Sequence, residues 1–297
     1  MNKYAFAFYM THWNESLILP FEVCMKSLQV NGGKCASCPR YLIYSGEVTA
    51  SVKSFCSRHS IQLRLEPRWT EHFRLPNRTL VCKAPFHEVV CLLDTDIVFL
   101  QSPEPMFRRA AELNKVHSRL DISLPYSALT ARFHLTRLAR WIWRRQFSRF
   151  ALGRALPAWH SQPSGQGLIP PYLNGGVHFV PGIYLERLGT AWQRICAKLY
   201  RDARWRRPYT FLFQPYYFEM MSYAMGLHAA EVPWELMPPT HNFMPVPAAP
   251  AADKSINQEE VVMLHLVNEM RHWLQPGCPA PGEFQILWDR LNKVLAA

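Results

Sequence analysis

Hydrophobic positions along this chain cluster into short unbroken runs separated by amphipathic stretches. The longest run is Val89-Val90-Cys91-Leu92-Leu93-Asp94-Thr95-Asp96-Ile97-Val98-Phe99-Leu100, interrupted only by two carboxylates and a threonine. A run of β-branched and aliphatic residues predicts a strand buried on both faces, as in the middle of a parallel sheet. Residues 4–9 and 40–44 read as earlier strands of the same kind, and 61–65 alternates as a half-buried strand. Between them the period lengthens to that of a helix over 18–29, closed by Asn31-Gly32-Gly33, and over 49–59, where Thr49 or Ser51 can cap. Strands alternating with helices predict a parallel, doubly wound sheet.

The remaining pattern extends this plan. A helix over 77–84 leads through Pro85 into the aspartate strand, and Ser102-Pro103-Glu104-Pro105 opens a helix expected to reach about residue 116. Short strands are predicted at 122–124 and 261–266, with a longer one at 172–182 whose start holds two glycines. Helices are predicted over 185–200, 214–225 and 284–295, and the proline-rich stretch 233–239 as irregular. A segment of another character runs over 132–154. Arg137, Arg140, Arg144, Arg145 and Arg149 are mixed there with Trp143, Phe147 and other apolar residues, without one acidic residue. Arg137, Arg140, Arg144 and Arg145 recur at helical spacing, and Leu138, Trp141 and Ile142 do so on another side, the expected apolar stripe. It predicts a basic amphipathic helix, either packed as an ordinary surface helix or laid on an anionic membrane surface.

Composition narrows the setting. The 297 residues can bury a full core, and no Gly/Ser tract divides them, so one domain is expected, with 131–165 as a basic insertion. A net charge of +11 and a pI near 9.4 favour an anionic partner. Eight scattered cysteines do not make a disulfide framework; Cys35 and Cys38 have metal-ligand spacing, but no second such pair follows. Residues 1–13 lack the basic start and apolar core of a signal peptide, and no run approaches membrane-spanning length. A cytoplasmic protein, or one peripheral at the inner face of a membrane, is the expectation.

The chemistry concentrates on Asp94 and Asp96. Residues two apart on an extended backbone face one way, so two carboxylates are expected to share one small volume. Either one holds a proton or a hard dication lies between them, unless one merely caps a turn. In open α/β sheets ligands bind beyond the carboxyl ends of the strands, where this pair falls. In Tyr172-Leu173-Asn174-Gly175-Gly176-Val177 the glycines permit close approach of a ligand or another backbone, and Asn174 can bond hydroxyls as donor and acceptor; an Asn-Gly hairpin turn is the plainer alternative. His265, alone in an apolar strand, reads as either a core residue or a ligand.

Taken in order, Leu92-Leu93-Asp94-Thr95-Asp96, Tyr172-Leu173-Asn174-Gly175-Gly176-Val177 and Leu264-His265-Leu266 with Trp273 downstream resemble three motifs of the GT-A nucleotide-sugar glycosyltransferases, above all of glycosyltransferase family eight. The resemblance implies a Rossmann-like, mostly parallel α/β sheet flanked by helices. It implies a hexosyltransferase of polysaccharide biosynthesis, working from a nucleoside-diphosphate sugar, UDP-linked, on a glycan or glycolipid acceptor, with no nucleic acid. It also implies Mn²⁺ or Mg²⁺ held by Asp94, Asp96 and His265; a donor site drawing on Thr95, Asn174, Gly175, Gly176, Arg78 and Lys83, with Thr11 and His12 toward the base; and Gln214 as a catalytic candidate. The sequence departs from the family where Phe213-Gln214 stands for Asp-Gln and where Arg271-His272-Trp273 stands for Lys-Pro-Trp. Two rivals fit parts of the pattern: a haloacid-dehalogenase-like phosphatase with Asp94 as nucleophile, and a non-enzymatic protein binding anionic membranes through 132–154.

Overall fold

The computed structural model describes residues 3–71, 75–121, 136–150, 160–161, 168–169, 171–205, 218–245, 256–275, 278 and 282–297. The strands in chain order are β1 (Tyr4–Met10), β2 (Arg40–Tyr44), β3 (Ile61–Leu65), β4 (Val89–Leu93), β5 (Ile97–Phe99), β6 (Val116–Leu120), β7 (His160–Ser161), β8 (Leu168–Ile169), β9 (Leu173–Pro181), β10 (Trp234–Leu236), β11 (His241–Phe243) and β12 (Met263–His265). The helices are α1 (Glu15–Asn31), α2 (Ala50–Arg58), α3 (Glu104–Leu113), α4 (Thr136–Phe150), α5 (Leu185–Trp205), α6 (Phe218–Ala229) and α7 (Gln285–Ala296).

Seven strands form the main sheet in the order β10-β6-β9-β4-β1-β2-β3. Pairing is parallel from β4 through β3 and between β10 and β6, while β9 runs antiparallel to both β4 and β6. Alternation along the central strands divides the core. Ala5, Ala7, Val90 and Leu92 face a layer holding Leu188, Trp192 and Met221. Phe6, Phe8, Cys91 and Leu93 face the other layer, with Phe21, Phe55 and Phe107. The expected α/β architecture with helices on both faces is therefore present. Its early helices begin where a side chain meets an open backbone N–H: Asn14 caps α1 by accepting from Ser16, and Thr49 caps α2 by accepting from Val52.

The aspartate run is not one strand. β4 ends at Leu93, opposite Val177 of β9, and the chain leaves the main sheet through Asp94-Thr95 to join a second, three-stranded sheet of order β11-β12-β5 at Ile97. A packed layer of Val98, Leu100, Leu264, Leu266, Trp273, Leu287 and Leu291 backs this small sheet. Ser27 and Asn31 of α1 bond the Phe99 backbone, and Arg290 of α7 donates to the carbonyls of Leu100 and Val261. Ile97, Phe99 and Met263 pack on the other side of the small sheet into the layer that holds Phe6, Cys91 and Leu93, so loop residues 94–96 are held at both ends by two sheets that share a core.

Other expectations shift. The helix predicted to run to residue 116 stops at Leu113, with Asn114 left-handed at φ 48°, and Val116–Leu120 is a strand. Its His117, Ser118 and Arg119 are buried, a polarity that hides a core strand from hydrophobic pattern. The strand expected at 122–124 lies outside the described residues. Trp234–Leu236, expected to be irregular, pairs in parallel with β6, since its prolines flank the three residues and interrupt none of them. Leu75–Lys83 is helical with 3₁₀ geometry, and the helix expected from 214 is described from Phe218.

Candidate active site

At the junction of the two sheets, three side chains converge. Asp94 follows β4 and its backbone N–H donates to the carbonyl of Gly176, fixing it against β9. Asp96 precedes β5, and its carbonyl accepts from Leu266 N–H, fixing it against the end of β12. His265 closes β12 opposite Ile97. Its Nε2 lies 3.3 Å from Asp96 Oδ1 and 3.8 Å from Asp94 Oδ2.

The second oxygen of each carboxylate is already engaged. Arg78 Nη2 reaches Asp94 Oδ1 at 2.8 Å, and Arg271 donates to Asp96 Oδ2 from Nη2 at 2.7 Å and from Nε at 3.2 Å. Asp94 Oδ2, Asp96 Oδ1 and His265 Nε2 therefore turn toward one another, with one ligand atom from each residue within 4.8 Å of the others. Octahedral dications bind oxygen and nitrogen at about 2.1 Å, which sets neighbouring ligand atoms roughly 3 Å apart and opposite ones roughly 4 Å apart. The separations lie near that range, and two carboxylate oxygens with one imidazole nitrogen form a donor set that a divalent cation can take. These residues fit a bound dication.

Charge supports the same reading. Against burial, which raises it, the His265 and Arg271 partners hold the Asp96 carboxyl down to about 2. Burial raises Asp94, and the Asp96 charge adds to the rise while Arg78 opposes it, so Asp94 is the member of the pair that holds a proton first. A third acid belongs to the group. Glu219, buried in the first turn of α6, places Oε1 3.7 Å from Arg78 Nε, and burial pushes its carboxyl up to about 7. Even beside Arg78, Glu219 thus holds a proton more readily than an ordinary carboxyl.

β9 supplies the wall. The carbonyl of Gly175 accepts from Arg78, and a Cβ at Gly175 would lie 2.6 Å from Arg78 Nη1. A Cβ at Gly176 would lie 2.5 Å from both Cε1 and Nδ1 of His265. The paired glycines are needed because an arginine and a histidine pack directly on the strand. Asn174 is buried and bonded on both ends of its amide. Oδ1 accepts from Gly176 N–H at 2.8 Å and from Asn242 Nδ2 at 2.7 Å, while Nδ2 donates to Asp121 Oδ2 at 2.8 Å. Asn174-Gly175 lies inside the unbroken strand β9, which rules out the hairpin-turn alternative. Asn242 itself is fully buried with φ at 94°, and Arg119 donates to its carbonyl. Strained backbone beside a polar cluster is held by its surroundings.

Of the other expected residues, Thr95 is buried between the two acids. Thr11 and His12 lie at the carboxyl end of β1, one strand from Asp94; Thr11 Oγ1 and His12 Nδ1 are 2.9 Å apart, and Arg68 donates to the Thr11 carbonyl. Lys83 is not brought in: it is exposed at the last position of the 3₁₀ segment that carries Arg78. Gln214 lies outside the described residues. Sequence reasoning had assigned no role to Glu219, Asp121, Asn242 and Arg271. Arg271 could have been found as a basic residue two before a tryptophan, in place of the family's lysine. The rest gave no signal, because each is recruited by a neighbour distant in sequence.

No family model matches the chain, and no curated protein sequence does. Solved structures do match. The chain aligns over 98% of its length with 95% of galactosyltransferase LgtC, solved with donor and acceptor sugar analogues, at 14% identity and a TM-score of 0.54. It aligns over 98% of its length with 50% of the bifunctional glycosyltransferase WbbM, at 12% identity and a TM-score of 0.54. It aligns over its whole length with 63% of the glycosyltransferase GlyE of Streptococcus pneumoniae TIGR4, at 14% identity and a TM-score of 0.53. The shared feature is the fold: this chain has the GT-A architecture of those glycosyltransferases.

Proposed function

We propose that the protein is a metal-dependent glycosyltransferase that moves a sugar from a nucleoside-diphosphate donor, UDP-linked, to a glycan or glycolipid acceptor. The observation that carries this reading is the convergence of Asp94 Oδ2, Asp96 Oδ1 and His265 Nε2 at the edge of a GT-A sheet, each carboxylate tied by its other oxygen to an arginine. Mn²⁺ or Mg²⁺ is the cofactor these three residues would hold. When bound, the dication supplies neutralisation of the charge that develops on the departing nucleoside diphosphate.

The chain's own residues do the rest. Arg78 and Arg271, each already at the cluster, can turn part of their guanidinium forks toward diphosphate oxygens, for which bidentate donors are suited. Asn174 and Gly175 line the donor-sugar pocket, with Thr95 closing it between the acids; Gly176 keeps the pocket shallow enough for the imidazole to lie against the strand. Glu219, buried and facing Arg78, is placed to accept from a sugar hydroxyl, and stands with Gln214 as a candidate to act on the reacting sugar. Thr11 and His12 border the base. A phosphatase using Asp94 as nucleophile is disfavoured, since one of its oxygens is held by Arg78 and the other faces His265.

Thermal unfolding against a panel of nucleotide sugars, with and without Mn²⁺, tests the reading. UDP-linked donors are expected to stabilise the protein only with metal, by about 3 kcal/mol at a hundredfold excess over Kd. No response to any nucleotide in the presence of Mn²⁺ would contradict it.

A further inference from the structure

The outward face of α4 carries chemistry that the donor site leaves unused. The helix has five arginines and no acid in fifteen residues, in a chain whose net charge is +11. Trp143 and Phe147 are fully buried, ring centroids 5.5 Å apart, and Trp143 also meets Tyr172. These two fix which side of the helix faces the protein. At about 100° per residue, Trp141 lies roughly 160° around the axis from Trp143. It is 54% exposed, with Leu138 beside it at 40%. Arg137, Arg144, Arg145 and Arg149 are exposed on the same arc, and the Arg145 guanidinium sits 5.3 Å from the Trp141 ring centroid.

An outward tryptophan and leucine inside an arc of arginines is the reverse of a solvated face. We infer that this face docks on an anionic lipid bilayer, with Trp141 and Leu138 entering the headgroup region and the arginines meeting lipid phosphates. Charge complementarity selects the occupant: an extended anionic plane engages four exposed arginines at once, and only one with an apolar interior also takes up Leu138. A tryptophan ring is favoured at the boundary between water and lipid. The helix would lie on the surface, since among the described residues no helix is long and apolar enough to cross a membrane. The inference does not rest on the transferase reading, because it is argued from the exposed face of α4 alone.

Cosedimentation of the full chain with phosphatidylglycerol vesicles and with phosphatidylcholine vesicles, in EDTA, tests it without reference to turnover. Binding is expected to the anionic vesicles only, and to fall toward 1 M salt, where the Debye length is about 3 Å. Arg144→Gln and Arg145→Gln are each expected to weaken partitioning about five-fold, and Trp141→Ala to weaken it several-fold more. Circular dichroism and Mn²⁺-dependent nucleotide binding should be unchanged, because the replaced side chains are exposed. The inference is overturned if the wild type ignores anionic vesicles, if the variants partition like the wild type, or if heparin retains the protein while vesicles do not.

Discussion

His265 Nε2 stands 3.3 Å from Oδ1 of Asp96, and the two residues meet because β12 runs antiparallel to β5 with His265 opposite Ile97. Strand register thus delivers an imidazole nitrogen to a carboxylate 169 positions earlier in the chain. His265→Ala is expected to weaken Mn²⁺ binding by about 100-fold or more, since loss of a direct ligand should cost at least as much as loss of its support. Titration calorimetry of metal into the nucleotide-bound protein checks this, and an unchanged affinity would remove His265 from the site.

Gly176→Ala is expected to damage the same site without altering any ligand. The added Cβ would fall 2.5 Å from two ring atoms of His265, which is buried and has little room to retreat. Metal affinity should fall while far-ultraviolet circular dichroism is retained. Gly175→Ala should be milder, because the contact there is with the far end of an arginine.

Glu219→Gln should change the pH dependence of stability in a defined direction. Burial lifts the folded carboxyl to about 7 from an ordinary value of 4.5. Stability held by the protonated form is fully present below pH 4.5 and is lost as pH rises through 7. The variant should therefore gain on the wild type across that window, by up to about 3 kcal/mol. Urea unfolding in EDTA at pH 5 and pH 8 measures the difference, and equal slopes with pH would contradict the assignment.

Asn174→Ala should destabilise the fold as well as the pocket. It strips partners from Asp121, from Gly176 N–H and from Asn242, all buried, at a cost of about 2–4 kcal/mol. A denaturation midpoint shift is the readout, and a variant as stable as wild type would mean that water replaces the amide.

The sequence made legible those parts of the molecule where one residue type in one pattern has one physical use. Val89 to Leu93 could only be a core strand, and the acids after it had to lie at its carboxyl end. Paired glycines at 175 and 176 allowed either a hairpin turn or something packed on a strand; the structure has the second, with Arg78 and His265 as what packs there. The pattern was silent where polar residues are buried by partners far along the chain. His117, Ser118 and Arg119 disguise β6, and Glu219 reads as one polar position of a helix until Arg78 is seen beside it. What stayed hidden is that Ile97 to Phe99, which continue the apolar run past the acids, pair in a different sheet. Of α4, the pattern disclosed its basic amphipathic character but not its inward side: Leu138 and Trp141, expected on the apolar stripe, are exposed, and Trp143 and Phe147 turn inward by packing on each other and, for Trp143, on Tyr172.

The central claim is that the paired acids hold a dication on which donor cleavage depends. Mn²⁺-dependent release of UDP from UDP-sugars, compared between wild type and the Asp94→Ala and Asp96→Ala variants, tests it most directly. The account predicts turnover in the wild type that EDTA abolishes, and loss of that turnover in both variants with the fold retained. Donor hydrolysis that persists unchanged in either variant would contradict it.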